Sequence, residues 1–173
     1  MSNREPDPKL KIEVLDKNIH DRRTFSCGVP ALDNYLLRQA AQDMEKHAAV
    51  VYVAVHGAST IAGYYTLSQF GVNVIELPES LSKRLPRYPI VPATLVGRLA
   101  VASAFQGLRL GETLLFDALR RSLDQSVNIA SACVVVDAKD MKSAAFYLQY
   151  GFVGIMDTNH RLFLPMETIR RMF

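Results

Sequence analysis

Cysteine is scarce in this chain of 173 residues. Cys27 and Cys133 stand far apart and neither has a C-x-x-C neighbour, which excludes a disulfide framework and a zinc site of that type. Cys133 lies within an apolar run and reads as a small buried hydrophobe. Long apolar runs are missing too. No segment approaches the roughly 20 residues that span a bilayer, and the polar stretch Met1–Lys9 holds no hydrophobic signal core. No membrane association is expected, and the cytoplasm is the expected compartment. Charge of one sign is also lacking: a net charge of +3 does not by itself argue for nucleic-acid binding, which needs a clustered patch. His20, His47, His56 and His160 are scattered without metal-ligand spacing, so no metal is expected. Repeats, low-complexity tracts and linkers are absent from the sequence.

What is present is an ordinary globular composition, 49% hydrophobic and 21% charged, in a length that suits one domain with a substantial core. Residues 1–9, with Pro6 and Pro8, read as a flexible lead-in. Leu10–Leu15 alternates apolar and polar residues, as a strand does. Pro30 suits a first helical turn, and Leu32, Leu36, Ala40 and Met44 recur every fourth residue through Lys46, so a helix ending near His47 is predicted. Ala49–Val55 and Ile61–Phe70 are β-branched runs joined by a hairpin at 56–60. Residues 71–92, broken by Pro78, Pro86 and Pro89, predict a short helix and an extended surface loop.

Ala93–Val101 is the next predicted strand. It feeds a glycine-bearing turn and a helix whose stripe is Leu110, Leu114, Leu115, Ala118 and Leu119, with Glu112 complementing the N-terminal dipole and Arg120 and Arg121 the C-terminal end. Ala132–Val136 reads as a buried strand and Ser143–Tyr150 as a helix that Gly151 terminates. Phe152–Met156 and Arg161–Leu164 read as short final strands, before an apolar and basic tail whose Ile169, Met172 and Phe173 suit either core or interface. The order of elements gives one α/β domain with a mixed sheet.

A strand, a glycine turn and a helix N-terminus together present free backbone N–H groups to an anion. Here Arg98-Leu99-Ala100-Val101 followed by Gln106-Gly107-Leu108-Arg109-Leu110-Gly111 resembles the strand and pyrophosphate loop of GNAT-superfamily acetyltransferases, with Arg109 where the Q/R-x-x-G-x-G/A pattern has its first glycine. Asp140-Met141-Lys142-Ser143-Ala144-Ala145-Phe146-Tyr147-Leu148-Gln149-Tyr150-Gly151-Phe152 is similar to the GNAT signature N-x-x-A-x-x-[LF]-Y-x-x-x-G-F, with Asp140 for Asn and Ser143 for Ala. Residues 25–36, 61–68, 92–101 and 162–166 further resemble, in collinear order, the GNAT toxins of bacterial toxin–antitoxin pairs, the TacT/AtaT group.

The resemblance implies an α/β (α+β) GNAT-like three-layer fold over residues 10–173, with a central mixed, mostly antiparallel sheet flanked by helices. It implies acetyl-CoA as cosubstrate, held by Leu99, Ala100, Val101, Gln106, Gly107, Leu108, Arg109, Leu110, Gly111, Glu112, Asp140 and Ser143, with Tyr147 as the general acid that protonates the departing thiolate. Its substrate class is aminoacyl-tRNA, acetylated on the α-amine so that translation stops. Its partners are a ribbon–helix–helix antitoxin, a second copy of the chain, and operator DNA through the antitoxin complex only.

No carboxylate or histidine constellation declares a general base. An α-amine, with a pKa of roughly 7.7–8.0 against about 10.4 for lysine, is partly neutral at cellular pH and attacks without one. A tRNA substrate asks for cationic surface, and Arg22, Arg23, Arg38, Lys46, Lys83, Arg84 and Arg87 are the candidates, with Lys139 and Lys142 beside the active helix. The Lys83/Arg84/Arg87 cluster combines charge with an exposed loop. Two alternatives stay open on the sequence: acetylation of a small amine or protein N-terminus, and a degenerate acyl-CoA-binding partner of the antitoxin.

Overall fold

The computed structural model describes residues 10–154 and 160–173; the expected lead-in at 1–9 and the end of the expected strand at 152–156 lie outside them. Seven strands hydrogen-bond into one mixed sheet: β1 (Lys11–Val14), β2 (Val50–His56), β3 (Thr60–Asn73), β4 (Ile90–Val101), β5 (Cys133–Asp137), β6 (Val153–Gly154) and β7 (Arg161–Pro165), in the order β1-β2-β3-β4-β5-β7-β6. The chain gathers into two compact units. One holds the described residues through Ser68 with Arg98–Ala118, and the other holds Gln69–Gly97 with the described residues from Leu119 onward.

In the first unit β1, β2 and β3 pair antiparallel. The expected helix over 30–46 forms as α1 (Pro30–Asn34), a π-helical turn (Tyr35–Gln39) and α2 (Ala40–Glu45). The Ala40 N–H donates to Tyr35 O, five residues back, so the turn is underwound. Leu36 and Ala40 are fully buried against Val51, Val53, Val55, Ile61 and Tyr64, with Leu32 and Met44 packed at the margin. The opposite face of β3 carries Gly63, where an added Cβ would meet Leu114 Cδ1 at 2.8 Å and Ala100 O at 2.9 Å. That position needs glycine because α4 (Leu110–Gln125) sits so close to the sheet. Helices thus cover both faces of the sheet in this unit.

In the second unit β4 runs parallel to β5, from Ala93↔Cys133 to Val96↔Val136. β7 pairs antiparallel with β5 and β6 with β7. Val72, Leu77, Leu81, Ala93, Cys133, Val135 and Phe163 form its core, so Cys133 is the buried hydrophobe expected of it. Burial pushes its thiol pKa up to about 11.

Several boundaries differ from expectation. The stretch 71–92 is less loop than predicted: β3 continues to Asn73, a 3₁₀ turn (Val74–Glu76) and α3 (Glu79–Ser82) follow, and β4 begins at Ile90. Pro92 is tolerated in β4 because its carbonyl alone is used, accepting from Ala132 N–H at 2.9 Å. α4 runs on to Gln125, so Arg120 and Arg121 lie within the helix rather than at its end. α5 (Met141–Leu148) starts two residues earlier than predicted, at its cap. In the tail, α6 (Met166–Arg170) buries Met166 and Ile169, while Phe173 is 47% exposed.

Candidate active site

In the first unit β4 ends at Val101, and the Ala102 N–H donates to Ala62 O at 2.8 Å. A 3₁₀ turn (Ser103–Phe105) leads into the loop. The Gln106 side-chain amide donates to Cys27 O at 3.1 Å and to Val101 O at 3.0 Å, lashing the loop to the strand it leaves. Gly107 takes φ +80° and Arg109 takes φ +61°. Leu110 is buried and seats the first turn of α4. The Arg109 carbonyl accepts from Thr113 N–H and Oγ1, both at 3.2 Å.

The main-chain N–H groups from Gly107 to Glu112 have no acceptor among the described residues. Six donors at the positive end of a 16-residue helix form an anion cradle. Arg109 departs from the glycine of the resembling pattern yet keeps the left-handed conformation glycine would take there, at a strain of about 1 kcal/mol. Its side chain is 77% exposed and Nε lies 3.6 Å from Glu112 Oε2. Of the strand residues assigned to the cosubstrate, Ala100 turns its methyl into the core while Leu99 and Val101 stay half-buried. All three lie beyond the register shared with β5.

In the second unit Asp140 is the N-cap of α5. Its carboxylate accepts the Ser143 N–H at 2.7 Å, and that bond holds its pKa below the ordinary carboxylate value. An aspartate does here what the asparagine of the resembling signature would do. One residue from the end of α5, Tyr147 is 8% exposed, edge-on to Phe146 at 5.1 Å and Phe152 at 5.5 Å. Burial pushes its pKa up to about 12, so the phenol keeps its proton at physiological pH.

The Tyr147 hydroxyl has no hydrogen-bond partner among the described residues. The other buried tyrosines are satisfied: Tyr35 donates to Asp43 Oδ2 at 2.8 Å, Tyr64 to Leu32 O at 2.7 Å, and Tyr65 to Asp117 Oδ2. A buried hydroxyl left unmade costs about 1–3 kcal/mol, so this one is a donor held in reserve.

The cationic candidates separate. In the first unit the Arg22 guanidinium donates to Leu37 O at 3.2 Å and braces the π turn, whereas Arg23, Arg38 and Lys46 are exposed. In the second, Lys83, Arg84 and Arg87 are exposed; Lys83 pairs with Glu79 at 3.0 Å and the two arginines have no ion-pair partner among the described residues. Lys139 and Lys142 flank Asp140 and are exposed. Among the described residues no group of three or more His, Cys, Asp or Glu could hold a metal ion. Sequence reasoning passed over the Arg98, Tyr35, Asp43 and Gln39 cluster of the first unit. Tyr35 and Gln39 come from the π turn and Asp43 from α2, at four-residue intervals, while Arg98 comes from β4 and no local spacing links it to them.

A strand, a glycine turn and a helix offering six N–H donors with no acceptor among the described residues suit a diphosphate-bearing cosubstrate, as a group transferase requires, and the chain also carries a capped helix with a buried phenol. The sequence profile described as "Acetyltransferase (GNAT) family" matches residues 17–152, and the chain belongs to that family. It is an acetyltransferase that draws on acetyl-CoA. The chain is similar to the probable toxin TacT of Sinorhizobium fredii (strain NBRC 101917 / NGR234), 31% identical over 170 residues with 94% of each chain covered. It is 30% identical over 148 residues to a tRNA-acetylating toxin of Mycobacterium tuberculosis (strain ATCC 25618 / H37Rv), covering 85% of this chain and 87% of that one.

Among solved structures, AtaT complexed with acetyl-methionyl-tRNAfMet matches with a TM-score of 0.87 at 27% identity, covering 95% of this chain and 99% of that one. AtaTR bound with acetyl-CoA matches with a TM-score of 0.84 at 27% identity, covering 95% and 98%. The AtaT–AtaR complex bound to DNA matches with a TM-score of 0.78 at 26% identity, covering 95% and 99%. No helix among the described residues is long and apolar enough to cross a membrane.

Proposed function

We propose that this chain transfers the acetyl group of acetyl-CoA to the α-amine of the amino acid carried by charged tRNA, and so stops translation in the cytoplasm. The observation that carries the chemistry is the reserve hydroxyl of Tyr147: buried, held protonated by that burial, and without a hydrogen-bond partner among the described residues. Similarity to a tRNA-acetylating toxin and to AtaT in complex with acetyl-methionyl-tRNAfMet supports the substrate class.

In this reading the free N–H groups of residues 107–112 hold the cosubstrate diphosphate and the backbone of Leu99–Val101 guides the pantetheine arm. The neutral α-amine attacks the thioester carbon, and backbone donors take the developing oxyanion. On collapse the carbon–sulfur bond breaks, the sulfur takes the Tyr147 proton, and the new ammonium gives its proton to water. Solvent then reprotonates the phenolate. No protein base is needed, because an α-amine with a pKa of roughly 7.7–8.0 is already partly neutral. Lys83, Arg84 and Arg87 supply phosphate contacts.

We further propose neutralisation by a ribbon–helix–helix antitoxin, through which the chain reaches operator DNA, and a homodimer as its own assembly. The degenerate-binder alternative loses ground locally. Arg109 keeps the glycine-type turn and Asp140 keeps the helix cap, so neither departure disturbs the backbone that the chemistry uses. The test is thiol release from acetyl-CoA in the presence of charged tRNA, deacylated tRNA, or free amines and peptides. Release with charged tRNA alone is expected. Release with free amines or peptides but not charged tRNA would return the chain to the small-amine or N-terminal reading, and binding without release anywhere would favour the degenerate one.

A further inference from the structure

Arg98 is half-buried on β4, and its guanidinium lies face-on over the Tyr35 ring, 3.6 Å from the centroid. The ring is itself fixed: Tyr35 donates to Asp43 Oδ2 at 2.8 Å, and Gln39 Nε2 donates to Asp43 Oδ1 at 2.8 Å. The Arg98 main-chain N–H donates to Thr66 Oγ1 at 3.1 Å. Its guanidinium has neither a hydrogen bond nor an ion pair among the described residues. A guanidinium held over an aromatic ring, with the Asp43 carboxylate near enough to feel its charge and no hydrogen bond among the described residues, keeps N–H donors to offer a tetrahedral or planar oxyanion.

Chain order says which anion. On the proposed reading the diphosphate sits at residues 106–112 and the arm runs back along Val101 to Leu99, so the acyl end and the incoming amine lie toward Arg98. The attacking group is an amine, which a cation does not recruit. The anion that travels with it on a charged tRNA is the phosphodiester on the 5′ side of the terminal adenosine. Resting on that reading, we infer that the Arg98 fork, stacked on Tyr35, binds this last phosphodiester of the acceptor end and thereby selects RNA-borne over free amines.

Two minimal substrates separate this from a packing role: 3′-O-aminoacyl-adenosine, which has no phosphate, and 3′-O-aminoacyl-cytidylyladenosine, which has one phosphodiester, both bearing the amino acid found acetylated on tRNA. The wild type should prefer the dinucleotide in kcat/KM by about 10- to 100-fold, the weight of a charged bidentate contact. Arg98→Met should bring that preference to within about threefold while leaving turnover of the nucleoside near wild type, and Arg98→Lys should fall between. Thermal melting of both variants, together with Tyr35→Phe, which keeps the ring and removes only its anchor, controls for packing. Equal losses on both substrates, or a wild type that does not distinguish them, would overturn the inference. Failure of the wild type on charged tRNA would overturn the substrate reading with it.

Discussion

Removing the Tyr147 hydroxyl separates a catalytic group from a structural one by sign. In Tyr147→Phe the ring keeps its edge contacts with Phe146 and Phe152, so no packing is lost. The hydroxyl leaves a site where it is 8% exposed and makes no hydrogen bond among the described residues. Its removal therefore relieves a desolvation penalty, and the variant should be as stable as the wild type or up to about 2 kcal/mol more stable. For a chain of this length that is an unchanged melting temperature or a rise of a few degrees, at ~2–4 °C per kcal/mol.

Acetyl transfer should fall by about 10²- to 10⁴-fold, because the thiolate then departs without a proton. The matched control is Tyr64→Phe, which removes a hydroxyl donating to Leu32 O at 2.7 Å and should destabilise by about 1 kcal/mol. Urea denaturation of the three proteins gives stability, and a chromophoric thiol trap with acetyl-CoA gives turnover. Cys27 and Cys133 are buried and add little background. A Tyr147→Phe protein destabilised by more than about 1 kcal/mol, or one turning over within threefold of wild type, would refute the reasoning.

Arg109→Gly should raise stability by about 1 kcal/mol by relieving a φ of +61°, and weaken acetyl-CoA binding by removing a cation beside the cradle; isothermal calorimetry showing tighter binding would mean the side chain obstructs the phosphates. Reversing Lys83, Arg84 and Arg87 to glutamate should weaken binding of charged tRNA and flatten its salt dependence without touching acetyl-CoA affinity, and an unchanged salt slope would return them to a solvated face. Burial raises the Cys133 thiol from 9.0 to about 11 and the Tyr147 phenol from 10.0 to about 12. Between pH 9 and 12 the unfolded chain releases these protons while the folded one retains them, so the urea midpoint, steady below pH 9, should fall as pH rises through that window. A flat midpoint would contradict both assignments.

Local pattern made much of this fold legible. The stripe of Leu110, Leu114, Leu115, Ala118 and Leu119 is the buried face of α4, and Cys133–Val136 is the buried strand expected. The turn at Gly107 follows from residue chemistry alone, whereas the helix predicted from Ser143 starts at Met141, capped by Asp140. The π turn was not anticipated, since the spacing predicted one continuous helix through Lys46. Apolar residues at strict four-residue spacing drift by about 40° per step on an α-helix, and one underwound turn takes up that drift between Leu32 and Met44.

What pattern could not show is long-range. The anchoring of Gln106 to Cys27 O, the stacking of Arg98 on Tyr35 and the diversion of Arg22 to Leu37 O join residues with no common spacing. The prolines at 78, 86 and 89 suggested loop across 71–92, yet β3 runs to Asn73 and β4 starts at Ile90, where it uses only the Pro92 carbonyl. Tyr147 was found by family resemblance, and its unmet hydroxyl, the stronger reason to assign it a role, is visible only in three dimensions.

The most direct measurement is mass spectrometry of the 3′-terminal nucleoside released by nuclease from charged tRNA after incubation with the enzyme and acetyl-CoA. The predicted result is an acetyl group on the α-nitrogen of the aminoacyl adenosine, present with the wild type and reduced to trace with Tyr147→Phe. An unmodified aminoacyl adenosine, with acetyl appearing instead on free amines or protein N-termini, would contradict it.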